Sequence, residues 1–205
     1  MPASRFGKGK QLLILGIALV VIDQVIKILV KTHMTIGQSI HVAGDWFQIL
    51  FIENNGMAFG LQFGEGWGKL ALSLCRLVLI ALIILYMRRL LKKPETPRGV
   101  LIGLAAILCG AIGNMIDSMF YGILFDYAPF LYGRVVDMFY FPIIDTTLPA
   151  NFPIWGGRHV IFFRPIFNFA DSCITCGAIY LLIFQWKFFS GAKAGSEAAE
   201  ETSGR

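Results

Sequence analysis

QLLILGIALVVIDQVIKILVK, residues Gln11 to Lys31, reads as a membrane-crossing helix interrupted by two charges of opposite sign. About 20 apolar residues span the hydrocarbon core of a bilayer, so the stretch is long enough. Asp23 and Lys27 lie four apart on one helical face, where they can neutralise each other, and a structural role is the stronger expectation for the pair. A cleaved leader fits poorly. The apolar run is too long for the core of a signal peptide, two charges break it, and no small-x-small site follows Lys31. The segment is expected to stay in place as a helix.

Working outward, three further apolar stretches run approximately from Trp67 to Met87, Gly99 to Asp117 and Pro165 to Lys187. The chain of 205 residues is 56% hydrophobic and only 15% charged, against about a quarter charged in a soluble domain. The expected fold is therefore an all-α membrane protein: a four-transmembrane-helix bundle forming one domain over residues 1–190, followed by a disordered tail over 191–205 that is poor in bulky residues. Basic residues set the orientation. Arg5, Lys8 and Lys10 precede the first span, Arg88, Arg89, Lys92, Lys93 and Arg98 lie between the second and third, and Lys187, Lys193 and Arg205 follow the fourth. Both termini should be cytoplasmic. The net charge of +5 belongs largely to these flanks and calls for no nucleic acid.

The outer segments are unusual. Ile40-His41-Val42 and Trp46 to Ile52, split by Ala43-Gly44-Asp45, predict a small β-hairpin or sheet outside the membrane. The stretch from Tyr121 to Arg164 is aromatic and broken by Pro142, Pro149 and Pro153, which predicts an irregular outer loop lying on the membrane surface or over a cleft, with Met138 to Phe163 as a mobile cover. Small residues at Gly99, Gly103, Ala106, Gly110 and Gly113 favour close helix packing. Cys173 and Cys176 form a CxxC inside a predicted helix with no second pair or histidine near it, so packing outweighs metal or redox work. No metal or other cofactor is expected.

The polar residues carry the function. With the N-terminus inside, Asp23 lies 12 residues beyond Gln11, about 18 Å along the axis at roughly 1.5 Å per residue. Asn114 and Asp117 close the third span on its outer side. Asp171 lies six residues after Pro165, about 9 Å inward from that side. Asp137 reaches the same level from the outer segment, so polar residues of three spans converge at one depth. A carboxylate there costs a few kcal/mol or more, by roughly the scale of insertion measurements. Two of them, Asp137 and Asp171, suggest a pair sharing one proton for acid/base chemistry. Asn114 and Asp117 are three apart, as are Asn168 and Asp171, so each pair is expected on one face, with the amide orienting its neighbouring carboxylate. Glu53-Asn54-Asn55-Gly56 is a turn or part of the chemistry on equal terms. A proton-coupled transporter is the alternative, but its acids should be distributed through the full membrane thickness.

Taken together, these motifs resemble the lipoprotein signal peptidases (signal peptidase II), bacterial inner-membrane aspartic peptidases. The matching stretches are Asp23-Gln24-Val25-Ile26-Lys27, Glu53-Asn54-Asn55-Gly56-Met57-Ala58-Phe59, Gly113-Asn114-Met115-Ile116-Asp117, Gly133-Arg134-Val135-Val136-Asp137 and Phe167-Asn168-Phe169-Ala170-Asp171, in family order over nearly the whole chain outside the tail. The resemblance implies that Asp137 and Asp171 are catalytic, and that Asp23, Lys27, Asn54, Gly56, Asn114, Asp117 and Asn168 support the site or contact substrate. It implies a monomer acting on diacylated prolipoproteins in membrane lipid, near the outer face. Two features depart from the family pattern. Ser118 stands where an Arg is usual, leaving an ion pair to Asp117 either absent or supplied by another Arg. The 33 residues between Asp137 and Asp171 imply an enlarged outer loop.

Overall fold

A computed structural model describes residues 5–55, 67–142, 144–147, 149–153, 156–162 and 165–190. Gly56, the tail and parts of the expected cover lie outside the described residues. Among the described residues, Gly7–His33, Trp67–Leu91 and Arg98–Leu124 are long and apolar enough to cross a membrane. The first belongs to α1 (Arg5–His33) and the second is α2 (Trp67–Leu91). The third joins α3 (Arg98–Ile116), a π-helical turn (Asp117–Tyr121) and the short α4 (Gly122–Leu124). Leu13, Ile17, Val21, Val78, Leu82 and Leu85 on these helices are exposed. Water would penalise such faces, whereas lipid tails accept them.

The fourth apolar segment departs from expectation. Instead of one helix over 165–187, it opens as strand β6 (Ile166–Phe167), continues as α5 (Phe169–Phe184) and ends in α6 (Trp186–Phe189). At 16 residues α5 is shorter than the three membrane-length helices. Strand pairing explains the late start: Pro165 carries no amide hydrogen, its carbonyl accepts the Phe141 N–H at 3.3 Å, and Ile166 and Phe167 pair with Tyr140 and Phe139. These extended residues cannot also be helical.

The chain forms two compact units. One is drawn from Met1–Val21, Leu74–Met115 and Ala170–Arg205, the other from Ile22–Ser73 and Ile116–Phe169. In the first, Met87, Leu90, Val100, Leu101, Leu104, Ala105 and Leu181 form an apolar core. The small residues of α3 allow α5 to press against it: a Cβ added at Gly103 would meet the Leu181 side chain at 2.6 Å, and one at Gly110 would meet the Ala170 carbonyl oxygen at 2.3 Å. The sequence-predicted close packing is present.

The second unit holds the expected sheet, larger than a hairpin. Strands β1 (Ser39–Ala43), β2 (Phe47–Asn54), β3 (Val135–Tyr140) and β6 lie in that order, each antiparallel to its neighbour. Val30, Phe51, Tyr121, Val136 and Met138 form its core. The segment read as an irregular cover supplies β3 and a separate two-stranded sheet, β4 (Ile144–Thr147) with β5 (His159–Phe162). β-branched and aromatic residues between the prolines favour pairing, and the prolines fall outside the strands.

Candidate active site

Alternation along β3 decides where Asp137 goes. Val136 and Met138 enter the sheet's apolar core, so Asp137 projects from the opposite face. On β2, an irregularity between Ile49 and Ile52 sets Ile52 opposite Asp137, and Asn54 lies two residues further along the same face. The Asn54 side-chain amide donates to Asp137 Oδ2 at 3.1 Å. On the other flank, β6 carries the chain to Asn168, which is fully buried and donates to Asp137 Oδ1 at 2.7 Å. Both carboxylate oxygens of this buried aspartate therefore accept a side-chain amide, which fixes its plane.

Asp171 lies in the first turn of α5 and is half-buried. Asn114 of α3 donates to its Oδ1 at 2.8 Å. The close seat of Gly110 on Ala170, one turn before Asn114 and one residue before Asp171, brings these side chains within reach.

The expected pairing of Asn114 with Asp117 is thus corrected. Asn168 precedes the helix and turns to Asp137, while Asn114 serves Asp171 and Asp117 faces elsewhere. The reason is local geometry: Asn168 lies between β6 and α5, and the π-helical turn beginning at Asp117 interrupts the α-helical spacing on which the same-face expectation rested.

Asp117 belongs to a second cluster. Lys27, whose side chain is 0% exposed, contacts Asp23 at 2.8 Å and Asp117 at 2.9 Å. Gln24 donates to Asp117 at 2.9 Å and Asp23 at 3.1 Å, and Tyr121 donates to Gln24 at 3.1 Å. The ion pair left open by Ser118 is therefore present, supplied by Lys27 and not by an arginine. Asp117 also accepts the Val136 N–H at 3.3 Å, the residue before Asp137. Gly133 is required here, because an added Cβ would lie 2.1 Å from the Asp117 carbonyl oxygen. The cluster is a structural anchor for β3.

Sequence reasoning missed Gln24 and Tyr121 in this anchor, and it missed a third cluster in which Glu53 bridges Lys31 and Arg134. Its sequence signal was a lone acid at the end of an apolar strand, in a chain with basic residues on the same side. Burial alone would push the Glu53 carboxyl up, but Lys31 and Arg134 together hold it below its ordinary range. Since the folded value is depressed, the bridge contributes stability above the ordinary carboxylate range and loses it as the pH falls through the lowered value.

Apolar membrane-length helices, a small antiparallel sheet, a buried Asp137 held by Asn54 and Asn168, and a half-buried Asp171 held by Asn114 are the features of a membrane protein that carries acids among its apolar segments. The sequence profile of the family described as Signal peptidase (SPase) II, Peptidase_A8, matches residues 15–187. The chain is 47% identical over 195 residues to the lipoprotein signal peptidase of Porphyromonas gingivalis, covering 88% of this chain and 84% of that protein. It is 40% identical over 179 residues to the lipoprotein signal peptidase of Amoebophilus asiaticus, covering 82% and 75%. A solved structure described as a bacterial membrane enzyme aligns with a TM-score of 0.58 at 26% identity, over 89% of this chain and 91% of that one. Another of the same description aligns with a TM-score of 0.60 at 24% identity, over 85% and 91%, a likeness of fold. The chain belongs to the signal peptidase II family. It is accordingly a protease, and the transporter alternative is disfavoured.

Proposed function

We propose that this chain removes the signal peptide from prolipoproteins, cleaving on the N-terminal side of a Cys that already carries diacylglycerol, with Asp137 and Asp171 as its catalytic dyad. The observation that carries the reading is Asn168. Its amide holds Asp137, and three residues later the same motif delivers Asp171, which has its own amide partner in Asn114. In the proposed dyad the two carboxylates share one proton, because a close pair cannot both ionise cheaply. The ionised member takes a proton from water as that water attacks the scissile carbonyl. The protonated member polarises the carbonyl oxygen, and a proton then passes to the leaving amine. Asn54, Asn114 and Asn168 orient the carboxylates, while Asp23, Lys27 and Asp117 support β3 from behind. Gly56 belongs to the substrate-binding motif by its position in the sequence. The decisive assay presents the full chain, in lipid, with a diacylated prolipoprotein and its unlipidated counterpart. Cleavage of the first alone supports the reading, and absence of cleavage at the lipidated Cys overturns it.

In this reading the protein is a monomer of the bacterial inner membrane, with α5 as a fourth crossing. Both termini are cytoplasmic and the dyad lies near the outer face, where water enters while the lipid anchor stays in the bilayer. The basic residues flanking the inner ends support this orientation. Reporter fusions after Leu91 and after Phe152 should report opposite compartments, the latter outside. A cytoplasmic signal at Phe152 contradicts the orientation.

The dyad needs only water, and no group of three or more His, Cys, Asp or Glu among the described residues is placed to hold a metal ion. Exhaustive chelation should leave the cleavage rate unchanged. Activity lost on chelation and restored by one divalent ion would require a metallopeptidase mechanism.

A further inference from the structure

We infer that Glu53 is a positioning residue for Asp137, acting through a charged clasp with Lys31 and Arg134. This rests on the reading of Asp137 as catalytic. Lys31 leaves the last turns of α1 with its ammonium 4.6 Å from the ring centre of Phe125, 4.8 Å from that of Tyr127 and 5.9 Å from that of Phe51. An ammonium among three aromatic rings is attracted to their faces and has little water left to turn to. Glu53 meets it directly with one carboxylate oxygen. The other oxygen accepts Arg134 at 3.0 Å, and the Arg134 guanidinium stacks 5.4 Å from the Tyr127 ring centre. Tyr127 also accepts the Arg134 backbone N–H at 2.7 Å. The Lys31 and Glu53 side chains are only 9% and 6% exposed, so the bridge is shielded from the solvent screening that weakens surface pairs.

What the clasp holds is the connection from α4 to β3. That connection contains two non-glycine residues with left-handed backbone, Asp126 at φ 54° and Leu131 at φ 72°. Such conformations persist only where surrounding contacts over-determine them. Phe125 and Tyr127 bind its start to Lys31, and Arg134 binds its end to Glu53. In the sheet, Glu53 pairs with Val136 and Asn54 with Val135, so the clasp closes on the rungs that bring the Asn54 amide to Asp137. A strand that slips or splays here moves the carboxylate away from its amide. Displacements near 1 Å at a reacting group can cost up to about a hundredfold in rate.

The test uses the full chain reconstituted in lipid with a diacylated prolipopeptide, and rates are expressed per folded molecule. Glu53→Gln should lower kcat by about tenfold, within the range expected for mispositioning, while KM stays within about twofold. Arg134→Gln should lower kcat by about threefold, and Arg134→Lys should recover part of that loss, because Lys keeps the charge but not the planar stack on Tyr127. The Glu53→Gln/Arg134→Gln double variant should be no slower than Glu53→Gln, since one bridge is lost in both. A kcat within twofold of the wild type in Glu53→Gln, or independent additive losses, overturns the inference. Should Glu53→Gln fail to fold, Arg134→Gln decides alone, because its half-exposed side chain can be changed without opening a core. Asp137→Asn runs alongside: turnover in that variant would overturn the dyad reading itself, whatever Glu53 does.

Discussion

Asp137→Asn and Asp171→Asn should each lower the rate of signal-peptide cleavage by about a thousandfold or more, the scale of lost acid–base catalysis. Each replacement keeps the size of the side chain and removes its ability to exchange a proton. The double variant should be no slower than the slower single one, because in the proposed dyad the two groups act as a unit whose function ends with the loss of either. The insertion level and melting profile should remain close to wild type. Asp137 is held by two amide donors and Asp171 by Asn114, and an Asn keeps one oxygen able to accept such a bond. The measurement is single-turnover cleavage of a fluorescent diacylated peptide in proteoliposomes at matched folded protein. Turnover within tenfold of wild type in either variant removes that residue from the chemistry.

Lys27→Met should produce the largest loss of stability. The ammonium is the cation shared by Asp23 and Asp117, all three residues being buried. Removing it leaves two carboxylates facing each other, and breaking a buried ion pair from one side costs about 3–5 kcal/mol. That is a large part of the roughly 5–15 kcal/mol that separates folded from unfolded states of ordinary domains. Asp117 also accepts the Val136 N–H, so the damage should reach β3 and lower activity in whatever protein remains folded. Asp117→Asn combined with Lys27→Met should recover part of the loss, because one of the two carboxylates that Lys27 balanced is then gone. Thermal unfolding in lipid and the yield of monodisperse protein read the effect directly. An unchanged melting temperature in Lys27→Met would show that the cluster does not anchor the fold.

Much of this was legible in the sequence. Length and hydropathy marked the three long helices, because burial of backbone polar groups in lipid leaves few alternatives to a long apolar helix. The Gly-Asp turn between aromatic and β-branched runs foretold β1 and β2. The i, i+4 spacing of Asp23 and Lys27 announced their contact, since helical neighbours are fixed by the chain itself. The aspartate and asparagine motifs, read against the family they resemble, marked the residues that the fold holds in amide contacts.

Partner choice across long separations was another matter. Nothing local to Phe167-Asn168-Phe169-Ala170-Asp171 says that Phe167 pairs in a strand, or that Asn168 serves Asp137, 31 residues earlier. Likewise, Ser118 withheld the family's usual cation, and only the folded chain shows Lys27 in contact with Asp117, 90 residues away in sequence. Glu53 reads as a turn-flanking acid until β2 and β3 pair and bring Arg134 to it. The division has one physical cause. Hydrophobic length and helical period are written into consecutive residues, so the sequence by itself determined the three long apolar helices and the shared face of Asp23 and Lys27. Strand register and ion-pair partners depend on which distant segments meet, and only the tertiary structure decided those.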